Sequence, residues 1–207
     1  MTSTPCIVLI HGLLAGDHMR RHLLRWLHHA GFTQARLFSH HARPASIARW
    51  MRAQPDGPRV LIGYSQGGFQ VVKVARRLAQ DGFHTDLLVT VAAGGLGRWY
   101  PPQWGMEHRQ LPAQVKRALN FYALDDRLGT DATASKNLMR GKPGDTWVEN
   151  HAYPAEAGIG HAGLVRCYPE SRVHPSVDRL FLTRLKTELM RLKSAHSHKS
   201  QAAAAGS

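Results

Sequence analysis

Three short stretches carry residue types that could do nucleophilic chemistry. They hold a serine in Gly63-Tyr64-Ser65-Gln66-Gly67-Gly68, an aspartate in Asp125-Asp126-Arg127-Leu128, and a histidine in Gly158-Ile159-Gly160-His161-Ala162-Gly163-Leu164. A serine hydroxyl is a weak nucleophile until a base accepts its proton and a third group orients that base. Ser65 stands between an apolar run at 60–62 and a helix-like stretch at 69–78, so Gly-x-Ser-x-Gly predicts a strand, a sharp turn and a helix. Gly63 and Gly67 would let strand and helix approach closely while the serine takes a strained backbone position. The N–H of Gln66 then falls in the first helical turn, where unpaired donors and the helix dipole favour a developing oxyanion. The competing reading makes Ser65 a helix cap, with an unrelated aspartate and histidine further on. Three separately placed candidates in the order serine, aspartate, histidine favour the joint catalytic reading.

The elements that would position these residues can be read from hydrophobic periodicity. Residues 6–10 form a continuous apolar run, the mark of a strand buried on both faces, and His11-Gly12-Leu13-Leu14-Ala15-Gly16 follows at its C-terminal end. Asp17 is expected to cap a helix to about Ala30 that Gly31 stops, and Pro44 to open a second helix to about Ala53 after a short strand at 35–39. Further strands are expected at 86–92, 120–124 and 146–151, a short helix near 132–139, and a last helix at 176–192. Alternating strands and helices imply a mainly parallel sheet with helices on both faces, three layers in all, with ligands beyond the strand C-termini. The Gly-, Pro- and Trp-rich stretch at 93–112 reads as a loop beside the site, leaving a minimal lid or none. One domain is expected over 1–193, with a disordered tail over 194–207.

Composition narrows the function classes. With 207 residues, 43% hydrophobic and 20% charged, the chain suits one globular core. Neither a signal peptide nor a membrane span is legible, which points to the cytoplasm, although removal of a leader or a signal-independent export route would leave the same sequence. Cys6 and Cys167 make no disulfide framework. Lysines and arginines number 27 against 14 acids, a formal charge of +13, but they are scattered and carry no nucleic-acid-binding signature. We therefore expect no specific nucleic-acid partner and only weak electrostatic association with anionic surfaces. The 14 histidines lack metal-ligand spacing, so no metal and no cofactor is expected.

The motifs quoted above, together with Ile7-Val8-Leu9-Ile10-His11-Gly12-Leu13, resemble the α/β-hydrolase superfamily over about residues 6–165, and within it the small lid-less bacterial lipases and esterases. Gly-Tyr-Ser-Gln-Gly is also similar to the elbow of cutinases. The resemblance implies Ser65 as nucleophile, His161 as general base and acid, and Asp126 as the acid, with Asp125 the alternative. It implies backbone donors to the oxyanion at Leu13 and Gln66, with His11 and Gly12 supporting that loop. The implied reaction is hydrolysis of carboxylic esters of small molecules or lipids through an acyl-enzyme. Thioester or polyester hydrolysis and acyl transfer use the same triad, and a catalytically silent scaffold binding a polyanion or protein is the reading of another class. Two departures bear on substrate: the long segment at 129–154, and Trp99, Tyr100 and Trp104 in the 93–112 loop.

Overall fold

Apolar strands that bury both faces need a layer of helices on each side, and the chain supplies both layers. The computed structural model describes the backbone of residues 4–205 and the side chains of 4–196. Six strands, β1 (Cys6–His11), β2 (Arg36–Ser39), β3 (Arg59–Tyr64), β4 (Leu87–Val91), β5 (Arg117–Ala123) and β6 (Trp147–Tyr153), form one parallel sheet in the order β2-β1-β3-β4-β5-β6. The helices are α1 (16–29), α2 (Pro44–Arg52), α3 (Gln66–Gln80), the single turn α4 (Gly160–Gly163) and α5 (175–205). The Arg20–Leu24 and Asp178–Leu182 turns of α1 and α5 are wound as π-helix.

Strand side chains alternate between two cores because successive Cβ atoms point to opposite faces. Ile7, Leu9, Val60 and Ile62 pack with Met19, Leu23 and Leu27 of α1 and with Phe181, Leu185 and Leu189 of α5. Val8, Ile10 and Leu61 face the other way, onto Ile47 and Met51 of α2 and Val71, Val74 and Leu78 of α3. Each of these fully buried aliphatic side chains contributes about 1.5–3 kcal/mol of transfer free energy.

The sheet order reverses at β1: β2 lies on one side of it and β3 on the other, so the connections leaving β1 and β3 diverge and open a crevice between their C-terminal ends. That crevice is where the loop from Gly12 and the turn at Ser65 meet.

The observed elements differ from expectation in three places. Asp17 does not cap α1: the helix starts one residue earlier at Gly16, the N-cap is Ala15 without a side-chain bond, and Asp17 lies inside the first turn, paired with Arg21. A carboxylate there still opposes the positive end of the helix. The helix expected near 132–139 shrinks to a 3₁₀ turn at Ala134–Asn137, because the Asn137 amide is taken by the backbone of Asp131, at 2.8 Å in each direction. That turn and β6, the strand expected at 146–151, both lie within the long 129–154 segment. The last helix runs on past Leu192 to Ala205; the side chains of 197–207 lie outside the described residues, and most of the expected tail falls among them.

Candidate active site

β3 ends by delivering Ser65 into a turn that few residues tolerate. Ser65 has φ 53° and ψ −121°, its N–H donates to Val91 O at 2.9 Å, and its carbonyl accepts Gly68 N–H at 2.9 Å. The turn is this tight because nothing occupies the glycine Cβ positions. A Cβ on Gly67 would run into Ile10 O, and one on Gly63 into the backbone of Gly67. The Ser65 side chain makes no capping bond to α3, so a cap is not what this serine provides. It is partly exposed at the crevice, while Gln66 beside it is buried.

The loop after β1 closes against the serine. A Cβ on Gly12 would stand 2.6 Å from Ser65 Cβ and 3.1 Å from its Oγ, so only glycine lets the loop come this near. His11 Nδ1 donates to Gly12 O at 2.7 Å, and its ring lies under Gly16, bracing the loop from both ends. Leu13 and Leu14 are exposed at the tip, and Leu14 holds φ 54°, a strain the sequence does not announce.

β5 supplies the carboxylate. Asp126 is 4% exposed; its Oδ1 accepts the N–H groups of Leu128 and Gly129 at 3.1 Å each, and its Oδ2 meets His161 Nδ1 at 2.7 Å. Asp125 is exposed and makes no such contact. An ionised carboxylate only accepts, so Nδ1 carries the proton, and the neutral ring is left with Nε2 as its lone-pair nitrogen. Ser65 Oγ and His161 are not hydrogen-bonded in this conformation; such bonds are often long without substrate and tighten on binding.

Tyr64, which sequence reasoning passed over, holds the histidine turn. Its ring packs on the His161 ring with centroids 5.0 Å apart, and its hydroxyl donates to His161 O at 3.2 Å. Burial, reinforced by the Asp126 charge, pushes the phenol's pKa well up, so the group stays a neutral donor. His18 Nε2 donates to the next carbonyl, Ala162 O, at 3.0 Å. Nothing local marks either residue, because each acts on a turn about a hundred or more positions away.

The 93–112 loop folds beside the serine as 3₁₀ turns at Gly95–Trp99 and Pro101–Gln103. Gln66 anchors it: Nε2 donates to Gly97 O at 2.7 Å, and Oε1 accepts Gln103 Nε2 at 3.1 Å. A cavity of 610 Å³ lies against this loop, walled by Phe69, Trp99, Gln103, Trp104 and Met106 together with the charged Arg98, Glu107, Asp131 and Lys136, and Phe69 is one helical turn along α3 from Ser65. Trp99 and Trp104 are exposed, whereas Tyr100 sits edge-on to His40 and His41 and is not part of this wall. Beneath the loop, Asp131 takes Arg98 at 2.8 Å and lies 3.8 Å from the buried Arg109, tying the loop to the turn that bears Asp126. Burial, with Arg98 nearby, brings the Arg109 pKa down to about 10, which leaves it charged at neutral pH.

Among the described residues no group of three or more His, Cys, Asp or Glu side chains is arranged to hold a metal ion. Among them also, no helix is long and apolar enough to cross a membrane.

No protein-family model matches the chain, and no curated protein matches its sequence. Solved structures match its architecture. A protein from Pectobacterium atrosepticum described as a YdeN-like hydrolase is 20% identical, with a TM-score of 0.55 over 91% of this chain and 92% of that one. Est1E from Butyrivibrio proteoclasticus is 10% identical, with a TM-score of 0.60 over 94% and 90%. Human thioesterase 2 is 12% identical, with a TM-score of 0.53 over 91% and 97%.

Proposed function

The chain has the α/β-hydrolase fold, and from that premise we propose that it is a serine hydrolase of carboxylic esters that works through an acyl-enzyme. One observation carries the reading: the Asp126–His161 pair, 2.7 Å apart and with Nδ1 as the donor, stands at the same sheet edge as a serine held at φ 53° and free of any capping duty. In this reaction Ser65 Oγ attacks the ester carbonyl while His161 Nε2 takes its proton. Asp126 keeps the imidazole in the tautomer that can accept and stabilises the imidazolium that forms. The tetrahedral oxyanion is met by the backbone N–H groups of Gln66 and Leu13. Collapse expels the alcohol, which receives the proton from His161, and water then repeats the sequence to release the acid.

The Phe69, Trp99 and Trp104 rings in the mixed aromatic and charged cavity beside α3 support esters with an apolar or aromatic group. Thioesters use the same tetrahedral chemistry, and the structural neighbours include both an esterase-type name and a thioesterase. Ester over thioester is the finer part of the reading, and competition between p-nitrophenyl and thiophenyl esters of one acid measures it. The test of the whole is turnover of p-nitrophenyl esters of graded chain length by wild type and Ser65→Ala, with fluorophosphonate labelling in parallel. Labelling and turnover that disappear in the variant are expected. Folded wild-type protein that neither labels nor turns over would leave a silent scaffold as the better reading.

A further inference from the structure

At the opposite edge of the sheet a cleft of 540 Å³ opens where β3, β4 and β5 begin, flanked by α5. Its charged walls are Arg59, Lys116, Arg117 and Arg191, set against Asp56 and Asp86. Most of these charges are spent on one another. Asp86 accepts Arg59 N–H at 2.8 Å through Oδ2 and Lys116 Nζ at 2.7 Å through Oδ1. Glu188 holds Arg117 at 2.9 Å and Arg191 at 2.8 Å, and Asp56 is itself engaged.

Arg59 is the exception. Its guanidinium lies over the Phe83 ring, with Cζ 4.8 Å from the centroid. Among the described residues no carboxylate comes within ion-pair distance of it, and its Nε is buried without a hydrogen-bond partner. A guanidinium stacked on a ring has its plane fixed, and Arg59, which lines the cleft, is held in place this way without a carboxylate partner among the described residues. A volume of this size accommodates a small organic molecule.

We propose that this cleft binds a small molecule carrying a phosphate monoester, with the phosphate between Arg59 and Lys116 and the apolar body along Pro58 and Leu192. A phosphate monoester brings three terminal oxygens and a charge of about −1.5 to −2, and so meets the Arg59 fork and the lysine together more strongly than a carboxylate with two oxygens and a single charge. Arg59 opens β3 and Ser65 follows its end, so six residues of strand put the two sites about 20 Å apart. The ligand is therefore no part of the ester chemistry, and the site stands or falls independently of it.

The test uses Ser65→Ala protein, so that no turnover interferes, titrated calorimetrically with phenyl phosphate and with benzoate. A chain of charge +13 attracts any anion, so the control is Arg20→Gln, which removes an exposed arginine of α1 and changes net charge as much as Arg59→Gln does. Saturable binding of one phenyl phosphate is expected, weakened tenfold or more by Arg59→Gln and by less than twofold by Arg20→Gln, with benzoate at least tenfold weaker. Lys116→Gln, at an exposed side chain, should weaken binding severalfold and serves if Arg59→Gln does not fold. Absence of saturable binding, equal weakening by the Arg59 and Arg20 variants, or equal affinity for benzoate would overturn the proposal.

Discussion

The two edges of one sheet are built on opposite rules. At the C-terminal edge, Leu14, Ser65 and Ala92 are the non-glycine residues with positive φ among the described residues, and each follows a strand end: β1, β3 and β4 respectively. The same edge exposes Leu13, Leu14, Leu96, Trp99, Trp104, Leu124 and Leu128, against Trp147 at the start of β6 on the other. At the N-terminal edge and along the adjoining helix α5, charges are matched instead. Glu149 holds Arg184 at 2.9 Å, and the buried Glu188 holds Arg117, Arg184 and Arg191 at 2.8–2.9 Å. Strain and exposed apolar surface persist only where the surroundings over-determine them, and their concentration falls on the edge that bears the proposed chemistry. The other edge, Arg59 apart, spends its charged side chains on holding strands and helix together.

Substitutions can break this contrast or sharpen it. The largest effect is expected at the serine: Ser65→Ala should lower ester turnover by about 10⁴-fold or more, because residues of such a unit fail together. Ser65→Gly should be equally inactive yet more stable by about 1 kcal/mol, since glycine relieves the positive φ. A chemical denaturation midpoint that fell instead would show that the serine backbone is not strained.

Next in size is the acid. Asp126→Asn should cost about 10³–10⁴-fold in kcat by leaving the imidazole in the wrong tautomer. Asp125→Asn, at an exposed carboxylate, should change kcat by less than about twofold. Steady-state kinetics of the pair would unseat Asp126 if the order were reversed.

A third effect falls on stability alone. Gly67→Ala drives a Cβ into Ile10 O, where backbone cannot step aside, and should cost about 3 kcal/mol. Thermal denaturation reads this directly; a change below about 1 kcal/mol would mean the elbow is looser than its geometry.

The smallest effect belongs to the ion-paired edge. Hydrogen bonding to Arg184 lowers the Glu149 pKa from 4.5 to about 2. A carboxylate whose folded pKa is depressed contributes stability that is fully present above its unfolded pKa and lost as pH falls through the folded one. Wild type should therefore melt above Glu149→Gln at pH 7, by a small margin because the pair is partly solvated, and the gap should close between about pH 4.5 and 2. Esterase activity at pH 7 should be unaffected, and a kinetic defect would show that the two edges are coupled.

Patterns a few residues long were legible without coordinates. Continuous apolar runs marked β1, β3 and β4, because strands covered on both faces show no alternation. Glycines two before and two after Ser65 announced the tight turn, because no other residue permits it. The order of serine, aspartate and histidine came from the same local reading, as did the parallel sheet, since β1, β2 and β3 are each followed by a helix that carries the chain back. Asp17 misled because capping depends on which residue starts the helix, and one position of difference turns a cap into a first-turn charge.

What the sequence determined by itself, then, was which of the main segments are strands and helices, which faces they bury and which residues are candidates for the proposed chemistry, all consequences of near-neighbour sterics and periodicity. Only the tertiary structure decided that Asp126 rather than Asp125 faces His161, because adjacent side chains point to different sides of a turn whose shape is set by Leu128 and Gly129. It alone put Tyr64 against His161, Arg109 beneath the acid turn and Arg59 unpaired over Phe83. The last two are the outcome of long crossovers that bring distant stretches together, Arg109 at the C-terminal edge and Arg59 at the N-terminal one, and the chain carries no local signal for which charges will meet and which will be left over.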